Sequence, residues 1–156
     1  MILNAVRQPE PEEDFAYAKS FRTDYEDIRL HLQELSDGLG AEFASHPIDE
    51  SDGLYIDSFY LPSTGEKTNL VVLTTGVHGV EGYIGSVMLD VFFKELYPSL
   101  DRETTGVLVV ANVNPYGMKY LRRYNENNVD LNRNFILDWA QHDLSSNKEY
   151  PKVDTF

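Results

Sequence analysis

The run Gly76-Val77-His78-Gly79-Val80-Glu81-Gly82 holds the first residues of this 156-residue chain whose types and spacing could do chemistry. His78 and Glu81 are three apart, so the first turn of a helix would set both side chains on one face. An imidazole and a carboxylate so spaced are ordinary ligands of a hydrolytic zinc ion. Gly76, Gly79, Gly82 and Gly85 recur at every third position, and such a bend lets backbone approach a ligand closely. Spacing alone leaves two readings, a metal pair and a chance match. With four histidines and 13 glutamates in the chain, such a pair arises by chance in about one chain of three. The chain carries its own control. His31-Leu32-Gln33-Glu34 has the same spacing but lies inside an amphipathic segment without a glycine bend, where it reads as surface and rim residues.

A second candidate runs from Asn114-Pro115-Tyr116-Gly117 through Arg122-Arg123-Tyr124-Asn125 to Val129-Asp130-Leu131-Asn132-Arg133-Asn134-Phe135. Residues 115–135 hold Lys119, Arg122, Arg123 and Arg133 against Glu126 and Asp130, whereas the whole chain has a net charge of −13. Arginines beside amides make a forked donor set suited to a carboxylate. The other reading is a solvated loop whose arginines offset an acidic surface.

These segments need elements to place them. Residues 70–75 are a continuous apolar run, the mark of a strand buried on both faces, and 106–113 read as a second. Between them, residues 84–96 have helical spacing, with Pro98 at the end. The result is a βαβ unit, and hence an α/β class with a largely parallel sheet flanked by helices. The His78 bend follows one strand and the Asn114-Pro115 turn follows the next. Parallel neighbours would deliver both to one sheet edge. Upstream, Phe15, Ala18, Phe21, Tyr25, Ile28, Leu32, Leu35 and Leu39 predict an amphipathic helix from an Asp14 cap to a stop near Gly38 and Gly40. Residues 54–61 alternate as a strand, 116–122 and 135–140 read as short helices, and 124–134 as a loop. Residues 1–13 read as a loose leader and 14–156 as part of a single domain.

Composition removes several functions. The charge of −13 argues against nucleic acid and anionic membrane surfaces as partners. No apolar run reaches 18 residues, and the N-terminus turns acidic too soon for a signal peptide. Without cysteine there are no thiolate ligands, thiol nucleophiles or disulfides, which fits a cytoplasmic protein.

HGVEG, NPYG, RRYN and VDLNRNF, in this order, resemble the zinc carboxypeptidase superfamily, which includes succinylglutamate desuccinylase and aspartoacylase. The likeness is greatest to an uncharacterised bacterial branch of carboxypeptidase-like domains, and it runs from about Phe15 onward. It implies a carboxypeptidase-like mixed sheet and one zinc ion, with His78 and Glu81 as ligands. It implies that Arg123, ahead of Arg122, holds the oxyanion, and that Asn132 and Arg133 grip a substrate carboxylate. The family's third ligand and general base lie further along than His142 and Glu149, the histidine and glutamate after Phe135. The chain is therefore expected to be the N-terminal half of a domain of about 300 residues or more.

Two functions follow as expectations. One is a zinc-dependent hydrolase cleaving an amide or peptide bond next to a free carboxylate, in a small substrate or a peptide C-terminus. The other is a non-catalytic carboxylate- or peptide-binding module, or an inactive fragment. With two ligands in place, the chain alone is expected to bind zinc weakly, to lack hydrolase activity and to self-associate through an open sheet edge.

Overall fold

Asp24 starts the first long helix: its carboxylate accepts from the Asp27 N–H at 3.0 Å, replacing a bond the first turn cannot make for itself. The computed structural model describes residues 17–134. In it α1 spans Tyr25–Leu39 and ends where Gly40 takes φ +66°, the left-handed conformation suited to glycine. Tyr25, Ile28, Leu32 and Ser36 form its buried stripe. The expected cap at Asp14 lies outside the described residues. The helix begins about ten residues later than its apolar spacing suggested, because a separate 3₁₀ turn at Ala18–Ser20 interrupts the run and Asp24 caps a new start.

Four strands follow among the described residues: β1 (Glu42–Asp49), β2 (Leu54–Leu61), β3 (Asn69–Thr74) and β4 (Thr105–Ala111). Their order across the sheet is β1-β2-β4-β3. β1 pairs antiparallel with β2 and β2 antiparallel with β4, while β3 and β4 are parallel. The mixed α/β sheet is as expected; its largely parallel character is corrected, since among the described residues one pairing of three is parallel. The reason is β1, which the sequence pattern hides. Its residues are mostly exposed and include Pro47, as an edge strand allows. A turn closed by Gly53 (φ +66°) folds it straight back onto β2, and a tight hairpin can only be antiparallel.

The predicted βαβ unit is present as β3, α2 (Gly82–Val91) and β4. α2 runs into a π turn at Phe92–Leu96 and a 3₁₀ turn at Tyr97–Ser99, so Pro98 closes it as read. β3 is not buried on both faces. Among the described residues it lies at the sheet edge, with Val71 and Leu73 packed on the core and Leu70 and Val72 exposed. The core lies between sheet and helices: Ile28 and Leu32 from α1, Phe59 and Leu61 from β2, Val107 and Val109 from β4, and Leu89 with Phe93. Phe93 meets Phe59, Phe92 and Tyr97 with ring centroids 5.6, 5.0 and 5.3 Å away. The buried Asp57 is fully paired, accepting from Arg29 Nε at 2.8 Å, Ser45 Oγ at 2.7 Å and Asn112 Nδ2 at 3.1 Å, which locks α1 to the sheet. After β4 comes α3 (Pro115–Lys119), shorter than the 116–122 helix expected. The loop that follows carries a 3₁₀ turn at Leu131–Arg133. The leader at 1–13 and the helix expected at 135–140 lie outside the described residues. Among the described residues no helix is long and apolar enough to cross a membrane.

Candidate functional site

Beyond Thr74 the chain must turn sharply, and Gly76 does so at φ +71°, where a β-carbon would sit 3.0 Å from Met118 Sδ and 3.2 Å from the Asn112 α-carbon. The segments leaving β3 and β4 then run side by side. Val113 N–H donates to Thr75 O at 3.0 Å and Asn114 N–H to Gly76 O at 2.7 Å. Gly79 lies against α3 so closely that a β-carbon there would sit 2.0 Å from the Gly117 carbonyl carbon. Asn114 caps α3 by accepting from the Gly117 N–H at 2.9 Å, and its amide donates to Arg123 O at 3.2 Å. Val80 N–H donates to Arg122 O at 3.1 Å. The glycine bend and the arginine segment are thus one backbone-bonded unit at the end of the parallel pair, where open α/β sheets carry sites.

His78 is buried and opens a 3₁₀ turn at Gly79–Glu81 rather than an α-helical one. Its Nδ1 lies 3.1 Å from Glu81 Oε1 and its Nε2 3.0 Å from Asp130 Oδ1. Arg123 Nε donates to Asp130 Oδ2 at 3.1 Å, and its Nη1 stands 3.9 Å from Glu81 Oε1. Four side chains therefore close a ring: His78, Glu81, Arg123 and Asp130. Asp130 is the member that sequence reasoning missed, counted there only as a charge. Its signal was local, since an aspartate two residues ahead of an amide suits a cap. Here it opens the Leu131–Arg133 turn by accepting from the Asn132 N–H at 3.0 Å.

Hydrogen bonding to Asp130 places one proton of the His78 ring. Burial alone would raise the Asp130 carboxyl, but hydrogen bonds from Arg123, His78 and the Asn132 N–H outweigh it and hold its pKa below the ordinary 3.8. An ionised carboxylate only accepts, so His78 Nε2 carries the hydrogen it donates. In a neutral imidazole the Nδ1 lone pair then faces Glu81 Oε1 at 3.1 Å. Two acceptors so placed repel unless a proton or a metal cation lies between them.

The other expected residues fall around this ring. Arg122 turns away, with Nη2 donating to Asn128 Oδ1 at 3.2 Å. Asn132 and Arg133 are exposed on the adjoining turn; the Arg133 guanidinium donates to the Asn132 carbonyl at 3.3 Å and neither side chain joins the ring. His142 and Glu149 lie outside the described residues. Among the described residues no group of three or more His, Cys, Asp or Glu side chains is arranged to hold a metal ion. The control pair behaves differently. Glu34 is exposed, while half-buried His31 sits 2.6 Å from Asp90 Oδ1 on α2.

No curated protein matches the chain. A family model described as "Protein of unknown function (DUF2817)" matches residues 21–156, and the chain belongs to that uncharacterised family.

Proposed function

We propose that His78 and Glu81 hold a zinc ion in a hydrolase site of the zinc carboxypeptidase type, acting on an amide or peptide bond beside a free carboxylate. The observation that carries this reading is the His78 ring, with Nε2 bonded to Asp130 and Nδ1 presented to Glu81 at 3.1 Å. That donor set suits zinc: a neutral imidazole nitrogen beside a carboxylate oxygen, with the other ring nitrogen fixed by a second carboxylate. Zinc bound there would supply Lewis acidity toward a carbonyl oxygen and a water activated at neutral pH. The chain's own residues would do the rest. Asp130 orients the imidazole and, through Arg123 Nε, the guanidinium. Arg123, exposed beside Glu81, would donate to the oxygen that gains charge. Asn132 and Arg133 would orient the free carboxylate from the neighbouring turn. The cellular setting that fits is the cytoplasm.

The second reading is a non-catalytic module that binds carboxylates through the same arginines, without nucleic-acid or membrane partners. What favours it is that the described residues offer two candidate ligands, where a catalytic zinc usually has three. Calorimetric titration of the chain with zinc, followed by N-acetyl amino acids, separates the two. Expected is one weak zinc site, lost in His78→Ala, with acyl-amino-acid binding that strengthens when zinc is present. Zinc uptake unchanged by His78→Ala would overturn the metal assignment. Equal acyl-amino-acid binding with and without zinc would favour the module, and zinc-dependent turnover would point to a further ligand, with His142 the first to test.

A further inference from the structure

A cavity of about 420 Å³ lies where α1 and α2 meet the Ala18–Ser20 turn, and none of the His78 ring residues lines it. Leu35, Leu39 and Phe93 form an apolar wall, and Lys19, Arg22 and Lys94 bring three cations to it; Asp90 also lines it, Asp27 stands 3.8 Å from Arg22 Nε, and Glu95 accepts from the Tyr17 hydroxyl at the rim. Among the described residues, neither Lys19 nor Lys94 forms an ion pair; Lys94 Nζ instead stands 5.0 Å from the centre of the Tyr17 ring. In a chain of net charge −13, three cations beside three carboxylates make this patch locally balanced, where most of the surface is acidic.

Arg22 shows what the cavity could take. Its side chain is 23% exposed, and its Nη1 donates to Ser20 O at 2.9 Å and its Nη2 to His31 Nδ1 at 2.8 Å. A guanidinium only donates, so His31 accepts at Nδ1 and carries its hydrogen on Nε2, which it gives to Asp90 Oδ1 at 2.6 Å. Two consequences follow. The His31 lone pair is occupied, so the Asp90–His31 pair cannot serve as a general base. And the guanidinium spends its hydrogen bonds on neutral acceptors, while Asp27 and Asp90 approach only to 3.8 Å. Two of its five N–H groups have acceptors, which leaves a half-buried fork able to take a carboxylate.

We propose that this cavity binds a small organic carboxylate, its head on Arg22 with Lys94 alongside and its apolar body against Leu35, Leu39 and Phe93. An inorganic anion would leave that wall wet, and a neutral ligand would leave the open N–H groups of the guanidinium without a charged acceptor in hydrogen-bond reach.

The test is calorimetry on the whole chain with phenylacetate, octanoate, acetate and inorganic phosphate. Expected is saturable binding of phenylacetate or octanoate, with acetate and phosphate far weaker. Arg22→Gln should weaken it by roughly tenfold or more, as loss of a charged hydrogen bond implies. Lys94→Gln, an exposed change that leaves the fold alone, should weaken it by roughly twofold to fivefold, as for a partly screened charge. Lys67→Gln, an exposed cation outside the cavity's lining and outside the His78 site, should leave it unchanged. Absence of saturable binding would overturn the proposal. So would affinity indifferent to both Arg22→Gln and Lys94→Gln, or acetate and phosphate binding as well as the apolar acids.

Discussion

His31 and His78 each stand three residues before a glutamate, and the molecule treats the two pairs in opposite ways. His78 follows a strand and a glycine bend, so Glu81 folds back to 3.1 Å from its ring. His31 is in the middle of α1, where Glu34 stays exposed and the partner at 2.6 Å is Asp90, 59 residues away. Each ring then gains a further partner from elsewhere, Asp130 for His78 and Arg22 for His31. The difference decides what each can do. A ring held between two carboxylates is short of a cation. A ring held between a carboxylate and a guanidinium already has one. Spacing in sequence is the same in both; the backbone that carries it is not.

The largest expected effect breaks the His78 side. Gly79→Ala would set a methyl 2.0 Å from the Gly117 carbonyl carbon and 2.3 Å from Met118 N, so α3 and the bend would have to separate. Urea unfolding should report a loss of about 3 kcal/mol, the upper end for overpacking. The matched change in α1, Gly38→Ala, meets nothing within 4 Å and should stabilise by about 0.5–1 kcal/mol through helix propensity. Equal effects at the two glycines would erase the comparison.

Next comes metal affinity. Asp130→Asn removes the carboxylate that orients His78 and should cost zinc affinity about 10–100-fold in calorimetric titration. His31→Ala should leave zinc binding unchanged, because its ring donates to Asp90 and accepts from Arg22. If Asp130→Asn binds zinc normally while His31→Ala does not, the roles are reversed.

A smaller effect sharpens the His31 side. Asp90→Asn weakens the acceptor of the His31 Nε2–H and should lower stability by about 1–2 kcal/mol in urea, without touching zinc. No change in stability would reduce that bond to a surface contact.

The smallest effect concerns the helix that carries His31. Burial pushes the Tyr25 hydroxyl up to about 12, against a hydrogen bond from the Tyr55 backbone that lowers it. Its hydroxyl donates to Tyr55 O and accepts from Tyr55 N–H, both at 2.9 Å. A folded pKa above the ordinary 10.0 favours the neutral form in the native state. That stability is fully present below pH 10 and is lost as pH rises toward 12. Tyr25→Phe should therefore flatten the fall of stability between pH 10 and 12. Parallel curves for the two proteins would show that Tyr25 does not titrate in that window.

Elements with strong periodicity were readable before any fold was in view. β2 spans Leu54–Leu61 as its alternation implied, with Asp57, Phe59 and Leu61 inward. The βαβ unit came from two apolar runs and a helix between them, and it places the His78 bend and the Asn114 turn together. β1 was not readable: its side chains are mostly exposed, so no apolar alternation marks it, and its pairing with β2 alone makes it a strand. The both-face burial expected for β3 failed for a related reason. An apolar run records what a strand could bury, not whether a second layer covers its other face.

For the candidate site, the sequence by itself determined the residue types: a histidine and a glutamate three apart on a glycine bend, and an arginine segment of opposite sign to the chain. Those follow from local spacing and charge, which need no partner to be defined. Only the tertiary structure decided that Asp130 closes the ring 52 residues from His78, that Arg123 shares Asp130 with His78, and that His31 is tied to Arg22 and Asp90. The physical reason is one of range. A hydrogen bond acts over about 3 Å, so its partners are chosen by which backbone segments the sheet brings side by side, and no local pattern records that choice.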